Sequence, residues 1–332
     1  MLVRIDSSLQ AAREAADLRP GSVSPIDEAS FRRTGPHRHL AVLNDGHELE
    51  ATASIWIGRD ADGEETDSGI VGHFAAGDAD SGAIVLEAAC SDLRALGSRR
   101  VIGPMDGSTW HTYRFIAECG EEPPFFLEMN HPAAWPEMWK AAGFGTLAQY
   151  TSALNPDLGA IDPKTAGRLA NLTANGVTLR PLDPGHFELE LEGLYELSLA
   201  AFSKNYLYSP IDRQSFLDLY LPIAEFVVPE LVQIAELRGE RVGYVFAIPD
   251  LLEAKRDGRA QTIIVKTVAV HPSVAGGGLG SVLVDLCQRE GAQLGFSRAI
   301  HAFMHETNRS RAISAKFGQT IRRYNLYVRD LE

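Results

Sequence analysis

The chain has 332 residues, 45% of them hydrophobic and 23% charged, which is the composition of a globular protein and excludes a disordered or fibrous one. This length exceeds one ordinary domain, so two domains are expected. The formal net charge of −13 argues against nucleic acid as a partner, because the phosphates would be repelled.

The cysteines and the distribution of apolar residues indicate where in the cell the protein is located. Cys90, Cys119 and Cys287 lie far apart without a Cys-x-x-Cys pair, which predicts reduced thiols and a cytoplasmic protein. No apolar run approaches the ~18 residues of a membrane span, so no membrane contact is expected. The pair His37 and His39 is too small a donor set for zinc, and no metal is expected.

Apolar periodicity predicts the elements of the first half. In chain order they are a helix over 8–18, strands over 40–43, 51–57 and 69–74, a helix after residue 80, strands over 100–102 and 125–127, a helix over 132–142 and a strand over 146–154. The loop from Gly103 to Arg114 gathers polar and aromatic residues. It indicates a surface that contacts either the substrate or the second half.

The second half repeats this order after a segment, 156–176, whose Pro, Asp, Gly and Asn content predicts a linker. Its predicted elements are a strand over 177–182, a helix over 187–202, strands over 231–237, 241–248 and 262–270, a helix ending near 294, a strand over 299–304, a short helix after Asn308 and a strand over 321–328. The shared order suggests an internal duplication.

The strongest local pattern follows the strand 262–270, where a glycine cluster over 276–280 leads into an amphipathic helix. Glycines let several backbone amides point into one concavity, and a helix N-terminus adds a positive dipole end, which together suit a pyrophosphate. A P-loop would need Lys-Ser/Thr after Gly280, and a dinucleotide loop would need glycine at Leu283. Neither fits, and a glycine-rich turn without a ligand is the remaining alternative.

This run resembles the coenzyme A loop of the GNAT N-acetyltransferase superfamily, Arg/Gln-x-x-Gly-x-Gly/Ala. Gly278 and Gly280 fill its glycine positions, whereas Ala275 stands at the Arg/Gln position. The resemblance covers 177–330. It implies an α/β (α+β) fold of two tandem GNAT-like domains, each a mixed, splayed sheet flanked by helices: a degenerate domain at 1–155, a linker at 156–176 and an acetyl-CoA-binding domain at 177–332.

The function implied by the resemblance is transfer of an acetyl group from acetyl-CoA, as co-substrate, to the amine of a small acceptor. The residues implied to contact acetyl-CoA are Val268, Ala269, Val270, Ala275, Gly276, Gly277, Gly278, Leu279, Gly280, Ser281 and Asn308. The first half has Asp78 and Asp80 where a pyrophosphate would lie. Two carboxylates would repel it, so that half is expected to have lost coenzyme A.

The acid and the base of the family are missing from their usual positions. The central strand offers Lys266 and Thr267 instead of glutamate, and the tyrosine expected seven residues after Asn308 is Ala315. The catalytic candidates are Tyr324, Tyr327 and His305, and alternation along a strand allows at most one of the tyrosines to face the cleft.

The substrate candidates are Tyr206, Tyr208 and Asp212, which could hold a cationic amine. A role in packing is the alternative for these residues as well as for the catalytic candidates. Two other functions remain open: an acyl-CoA sensor without turnover, and an aminoacyl-tRNA-dependent acyltransferase, which the acidic surface and intact glycine loop disfavour. Monomer and homodimer are both open.

Overall fold

The computed structural model describes residues 1–8, 10–160 and 162–331. The strands are β1 (Leu2–Asp6), β2 (Arg38–Leu43), β3 (Leu49–Arg59), β4 (Glu65–Ala76), β5 (Arg100–Gly103), β6 (Phe115–Cys119), β7 (Gly145–Asn155), β8 (Val177–Pro181), β9 (Val232–Leu237), β10 (Glu240–Pro249), β11 (Thr262–Val270), β12 (Arg298–His305) and β13 (Gln319–Asp330). The helices are α1 (Ala11–Ala16), α2 (Glu28–Thr34), α3 (Ala79–Ala95), α4 (Trp135–Ala141), α5 (Thr165–Ala174), α6 (Phe187–Phe202), α7 (Arg213–Tyr220), α8 (Leu251–Asp257), α9 (Leu279–Gln293) and α10 (Arg309–Ser314).

The strands form one continuous mixed sheet in the order β1-β2-β3-β4-β5-β13-β7-β12-β11-β10-β9-β8, and β6 pairs with β13. The two halves exchange their last strands. β7 of the first half pairs with β12, and β13 of the second half pairs with β5. This exchange places residues of the first half beside the central strands of the second half.

Two strand pairs are parallel, β4 with β5 and β11 with β12. The register of β11 with β12 covers only the first four residues of each strand, after which the two strands part as expected of a splayed sheet. The register of β4 with β5 covers three of the four residues of β5, and the Met105 amide after β5 still donates to Val71 on β4, so this pair does not part in the same way.

The sheet is covered by helices on both faces. α3 and α4 pack on the first half over a core that includes Leu86, Trp139 and Tyr327. In the second half α9 covers one face and α6 the other. Among residues 1–8, 10–160 and 162–331, no helix combines the length and apolar character that crossing a membrane requires.

Most predicted elements are found within a few residues of their expected bounds, and β11 and α6 have the bounds predicted. The strand predicted over 125–127 is wrong. Pro123 and Pro124 precede it, Phe125 is buried as part of a turn, and the Phe126 amide donates to Asp250 Oδ1 at 2.9 Å instead of to a neighbouring strand. The strand in this region is β6, which the sequence pattern did not reveal.

Candidate active site

The cleft of the second half opens where β11 and β12 part. Their parallel register runs from Thr262 opposite Arg298 to Val265 opposite His301 and then ends. β11 continues to Val270 and β12 to His305 without pairing to each other. The gap between the two strand ends leads to the glycine loop, which follows β11.

The glycine loop presents free backbone amides at the mouth of this cleft. Gly276 and Gly278 have φ of +98° and +80°, a region that favours glycine. Gly278 is the N-cap of α9 and has no side chain to cap it. Among the described residues, no carbonyl accepts a hydrogen bond from the amides of 276–281. These amides and the helix dipole form a site for an anion of phosphate type.

The equivalent position in the first half is closed. The Asp78 side chain caps α3 by accepting from the Ser81 amide at 2.8 Å. The gap between β4 and β5 is filled by the chain itself, because the Met105 amide donates to the Val71 carbonyl at 2.8 Å. A Cβ on Gly72 would lie 2.1 Å from the Met105 oxygen. At this place the first half therefore has a helix N-terminus that is capped by its own carboxylate, and the gap between its parallel strands is filled.

Two cationic side chains flank the glycine loop of the second half. Asp162 accepts hydrogen bonds from Lys316 Nζ and Arg168 Nη1, each at 2.8 Å, and these contacts hold the pKa of its carboxyl well below the usual range. Arg168 belongs to α5, a helix inside the predicted linker, and Lys316 also lies 3.4 Å from Ser281 Oγ. The linker therefore contributes a cation where Ala275 of the loop provides none.

Lys266 lies at the inner end of the cleft. The β10–β11 register shifts between Phe246 and Ala247, whose partners are Thr267 and Val265, so Lys266 is the extra residue of a β-bulge. Its ammonium lies 4.5 Å from the centroid of the Phe303 ring on β12. Burial, with a smaller effect of the Arg114 charge, lowers the pKa of Lys266 to about 7.

Arg114, in the loop that precedes β6 in the first half, also lies at the inner end of the cleft, beside Phe303. Its guanidinium carbon lies 3.7 Å from the centroid of Tyr113, 4.4 Å from Tyr150 and 4.6 Å from Phe303. Tyr150 belongs to the exchanged strand β7. The loop that carries Arg114 also contacts the second half, since Trp110 Nε1 donates to the Ser209 carbonyl at 2.9 Å.

Residues 191–318 match the acetyltransferase (GNAT) family. This match covers less than half of the chain, lies within the second half and is consistent with a member of the GNAT superfamily. It is also 26% identical over 198 residues to a protein described as a bacterial ceramide synthase from Caulobacter vibrioides. That alignment covers 58% of this chain and 52% of the relative, so it spans only about half of the relative's length.

Two solved structures have the same fold. A GCN5-related N-acetyltransferase from Sphaerobacter thermophilus is 14% identical with a TM-score of 0.51, and covers 99% of this chain and 95% of its own. A probable N-acyltransferase from Enterococcus faecalis V583 is 11% identical with a TM-score of 0.56, covering 100% of this chain and 73% of its own. At such identities the likeness concerns the fold alone.

The GNAT positions expected to contact coenzyme A lie around the cleft. A Cβ on Gly280 would be 3.6 Å from Val268 and Val270, so the start of α9 lies over the parted end of β11. Ala269 faces the opposite core. Asn308 is exposed at the start of α10, where its Oδ1 accepts from the Ser310 amide at 3.2 Å. None of these side chains supplies an acid or a base.

The two tyrosine candidates for the GNAT acid are both engaged in packing. The Tyr324 hydroxyl donates to Glu128 at 2.7 Å and lies 3.0 Å from Ser152 Oγ, with the whole residue buried. Burial raises the pKa of Tyr324 far above its usual range. Tyr327 lies in the core of the first half against Trp139, 6.4 Å between ring centroids, away from the β11–β12 cleft. We retain neither as an acid.

His305, a catalytic candidate, and Tyr206, a substrate candidate, lie side by side. Their ring centroids are 5.1 Å apart, and Tyr150 lies 5.0 Å from His305. Nδ1 of His305 accepts from the Thr307 amide at 3.2 Å, so the neutral ring carries its proton on Nε2. Burial, together with Arg114, lowers the pKa of His305. In this tautomer the ring can donate a hydrogen bond through Nε2.

The other two substrate candidates have structural contacts. Tyr208 is buried against Trp110, with ring centroids 6.1 Å apart. Asp212 caps α7 by accepting from the Ser215 amide at 2.9 Å and from its hydroxyl at 2.6 Å. Sequence reasoning missed Arg114 and Tyr150 as site residues. The only signal was the unusual loop 103–114, because no pattern in a single sequence pairs that loop with strand β12.

Proposed function

We propose that the second half binds an acyl-CoA at the glycine loop and transfers the acyl group to the amine of a small acceptor, with acetyl-CoA as the donor. The observation that carries this proposal is the open β11–β12 cleft, which leads to the uncapped N-terminus of α9. The match of residues 191–318 to the GNAT family suggests an N-acyltransferase, while the donor and acceptor are our own proposals. The cytoplasmic location predicted from the sequence also stays a prediction.

The donor is held at both ends of the cleft. The amides of 276–281, with Arg168 and Lys316 beside them, would receive the pyrophosphate. The unpaired edge of β11 from Lys266 to Val270 would receive the pantetheine arm and orient the thioester carbonyl. The inner end is crowded by Lys266, Phe303 and Arg114, which favours a short acyl group such as acetyl.

The acceptor amine would enter beside Lys266. A lysine with a pKa of about 7 is substantially unprotonated at neutral pH and is a suitable general base. The amine nitrogen attacks the thioester carbon, its proton passes to Lys266 Nζ, and the C–S bond breaks to release the coenzyme A thiolate. The Nε2–H of His305 provides a donor for negative charge that develops during this step. The family's missing glutamate is thus replaced by a lysine at the bulge.

Release of coenzyme A thiol in the presence of an amine panel tests the proposal. We expect acetyl-CoA to raise the melting temperature by mass action, and thiol release to depend on the amine, with the acetylated amine identified by mass spectrometry. Stabilisation without amine-dependent release would instead indicate the acyl-CoA sensor. No stabilisation by any acyl-CoA would refute the site assignment.

A second donor is favoured by one observation, the 26% identity to a bacterial ceramide synthase over 198 residues. A fatty acyl-CoA and a long-chain amine would be the corresponding substrates. A series of acyl-CoA donors from two to sixteen carbons, assayed at equal concentration, separates the two candidates. Rates that fall with chain length support acetyl-CoA, and rates that rise support the fatty acyl donor.

A further inference from the structure

Arg114 is a buried cation with an unused hydrogen-bonding capacity. The residue is 5% exposed, and its Nε donates to the Tyr113 carbonyl at 3.1 Å. Its Nη1 is buried, and no hydrogen-bond partner for it is found among the described residues. The guanidinium faces the rings of Tyr150 and Phe303, so it projects into the inner end of the cleft.

The backbone holds Arg114 in an unfavourable conformation. Its φ is +70°, a left-handed value that is uncommon for residues other than glycine. The Arg114 amide donates to the Pro104 carbonyl at 2.8 Å, which ties this residue to the base of its own loop. Strained backbone conformations of this kind are concentrated at active sites and ligand-binding sites, where the surrounding structure fixes them.

No nearby carboxylate neutralises the positive charges of Arg114 and Lys266 among the described residues. Within the described part of the chain, no carboxylate forms an ion pair with Arg114 or with Lys266. A carboxylate behind the aromatic wall, Glu128, is already engaged by Arg322 at 3.3 Å and by the Tyr324 hydroxyl. A buried charge is costly unless it is paired. Aromatic faces offset part of that cost but leave the terminal nitrogens without acceptors.

We propose that the acceptor carries a carboxylate next to its reactive amine, and that Arg114 binds this carboxylate while Lys266 takes the proton of the amine. Nε of Arg114 already donates to the Tyr113 carbonyl, which leaves the two terminal nitrogens of the guanidinium to bind the ligand. These two nitrogens match the two oxygens of a carboxylate in an end-on arrangement. The proposal deepens and rests on the proposed acyltransferase function. An amino-acid-like acceptor has no net charge, so the overall charge of −13 does not repel it.

Matched acceptor pairs test this proposal. Each pair consists of an α-amino acid and the amine left by its decarboxylation, for example histidine with histamine and tyrosine with tyramine. With acetyl-CoA saturating, we expect kcat/KM to favour the carboxylate member by about 30-fold or more, as for loss of one partner of a buried charge pair. We expect Arg114→Gln to remove this preference mainly through KM, and Arg114→Lys to keep part of it.

The control is Arg323→Gln, since Arg323 forms only an exposed ion pair with Glu118 and should leave the preference unchanged. Melting temperatures of all variants establish that they are folded, and Arg114→Lys remains informative if Arg114→Gln does not fold. Equal rates for both members of every pair would overturn the inference while leaving the acyltransferase intact. The inference would also be overturned if folded Arg114→Gln lost activity towards the amino acid and towards its decarboxylated amine to the same degree. Preference of the wild type for an amine that bears a phosphate would overturn it as well. No acyl transfer to any amine would refute the proposed function itself.

Discussion

Arg168 of α5 lies against Gly278 at the start of α9, so that a Cβ on Gly278 would come within 2.8 Å of Arg168 Cδ. The helix that carries Arg168 lies in the segment between the two halves of the chain, and it also contacts the glycine loop. Gly278 is thus required both by its positive φ and by its neighbour. The contact joins the amides proposed to bind the pyrophosphate to a cation that the loop itself does not contain.

Replacing Gly278 by alanine should weaken both the fold and the binding of acyl-CoA. The substitution imposes a left-handed conformation on a residue with a Cβ, at about 1–2 kcal/mol, and displaces Arg168. We expect Kd for acetyl-CoA, measured by calorimetry, to rise by about tenfold or more.

Gly258→Ala is the matched control for this substitution. Gly258 has φ +81° at the end of α8, and a Cβ there would meet nothing within 4 Å. The same backbone strain is therefore introduced without the Arg168 contact. Equal acetyl-CoA affinity in the two variants would show that Gly278 lies outside the binding site.

Lys266→Met should produce a more stable and inactive protein. The pKa of Lys266 is about 7 in the folded chain and near 10.5 when unfolded, so the unfolded state binds more protons between these values. The free energy of unfolding of the wild type should then rise with pH from about 7 to about 10, relative to Lys266→Met. At pH 6 we expect the variant to be more stable by an amount on the order of 1–2 kcal/mol, measured by urea unfolding.

The activity of the wild type should rise as Lys266 loses its proton. Because the neutral amine is the base, kcat/KM should increase as pH rises through about 7. Lys140→Met serves as the comparison, since Lys140 is a surface lysine paired with Glu137 and should retain activity. A Lys266→Met variant with wild-type kcat/KM would exclude this lysine as the base.

The sequence predicted local features well and long-range ones poorly. The glycine loop, α6 and β11 are encoded by neighbouring residues, and their periodicity and turn chemistry suffice to place them. The contact between Arg114 and Phe303 joins residues far apart in the chain and depends on the exchange of β7 and β13. No local pattern encodes that exchange, because the alternation along a strand predicts which face is buried and does not identify the neighbouring strand.

The residue types at the site were visible in the sequence, but their environments were not. Lys266 was seen on the central strand, yet its low pKa comes from burial beside Phe303 and from Arg114. Tyr324 has the chemistry of an acid, but its hydroxyl is used by Glu128 and Ser152. Burial and partners decide such roles, and both are set by tertiary packing.

Tyr324→Phe should lower stability and leave catalysis almost unchanged. Without the hydroxyl, the buried Glu128 loses a donor, which costs about 1–3 kcal/mol. We expect a lower melting temperature, with kcat of the folded variant within about threefold of the wild type. Tyr195→Phe removes a hydroxyl that donates to the Ile211 carbonyl and gives the cost of an ordinary hydrogen bond. A fall in kcat at unchanged melting temperature would restore Tyr324 as the acid.

His305 should act as a hydrogen-bond donor through Nε2, which distinguishes it from a general base. The Thr307 amide donates to Nδ1 and fixes the Nε2–H tautomer, and Nε2 itself is buried with no partner found among the described residues. Glutamine places an amide nitrogen near the position of Nε2, whereas alanine removes the donor. We expect His305→Gln to retain most of kcat and His305→Ala to lose about 100-fold, as for removal of one oxyanion donor. Nitrogen-15 spectra of the imidazole should show the Nε2–H form at neutral and alkaline pH, because the pKa of His305 is lowered. Equal inactivity of the two variants, or a proton on Nδ1, would contradict this role, because the glutamine amide replaces a donor and cannot replace a base.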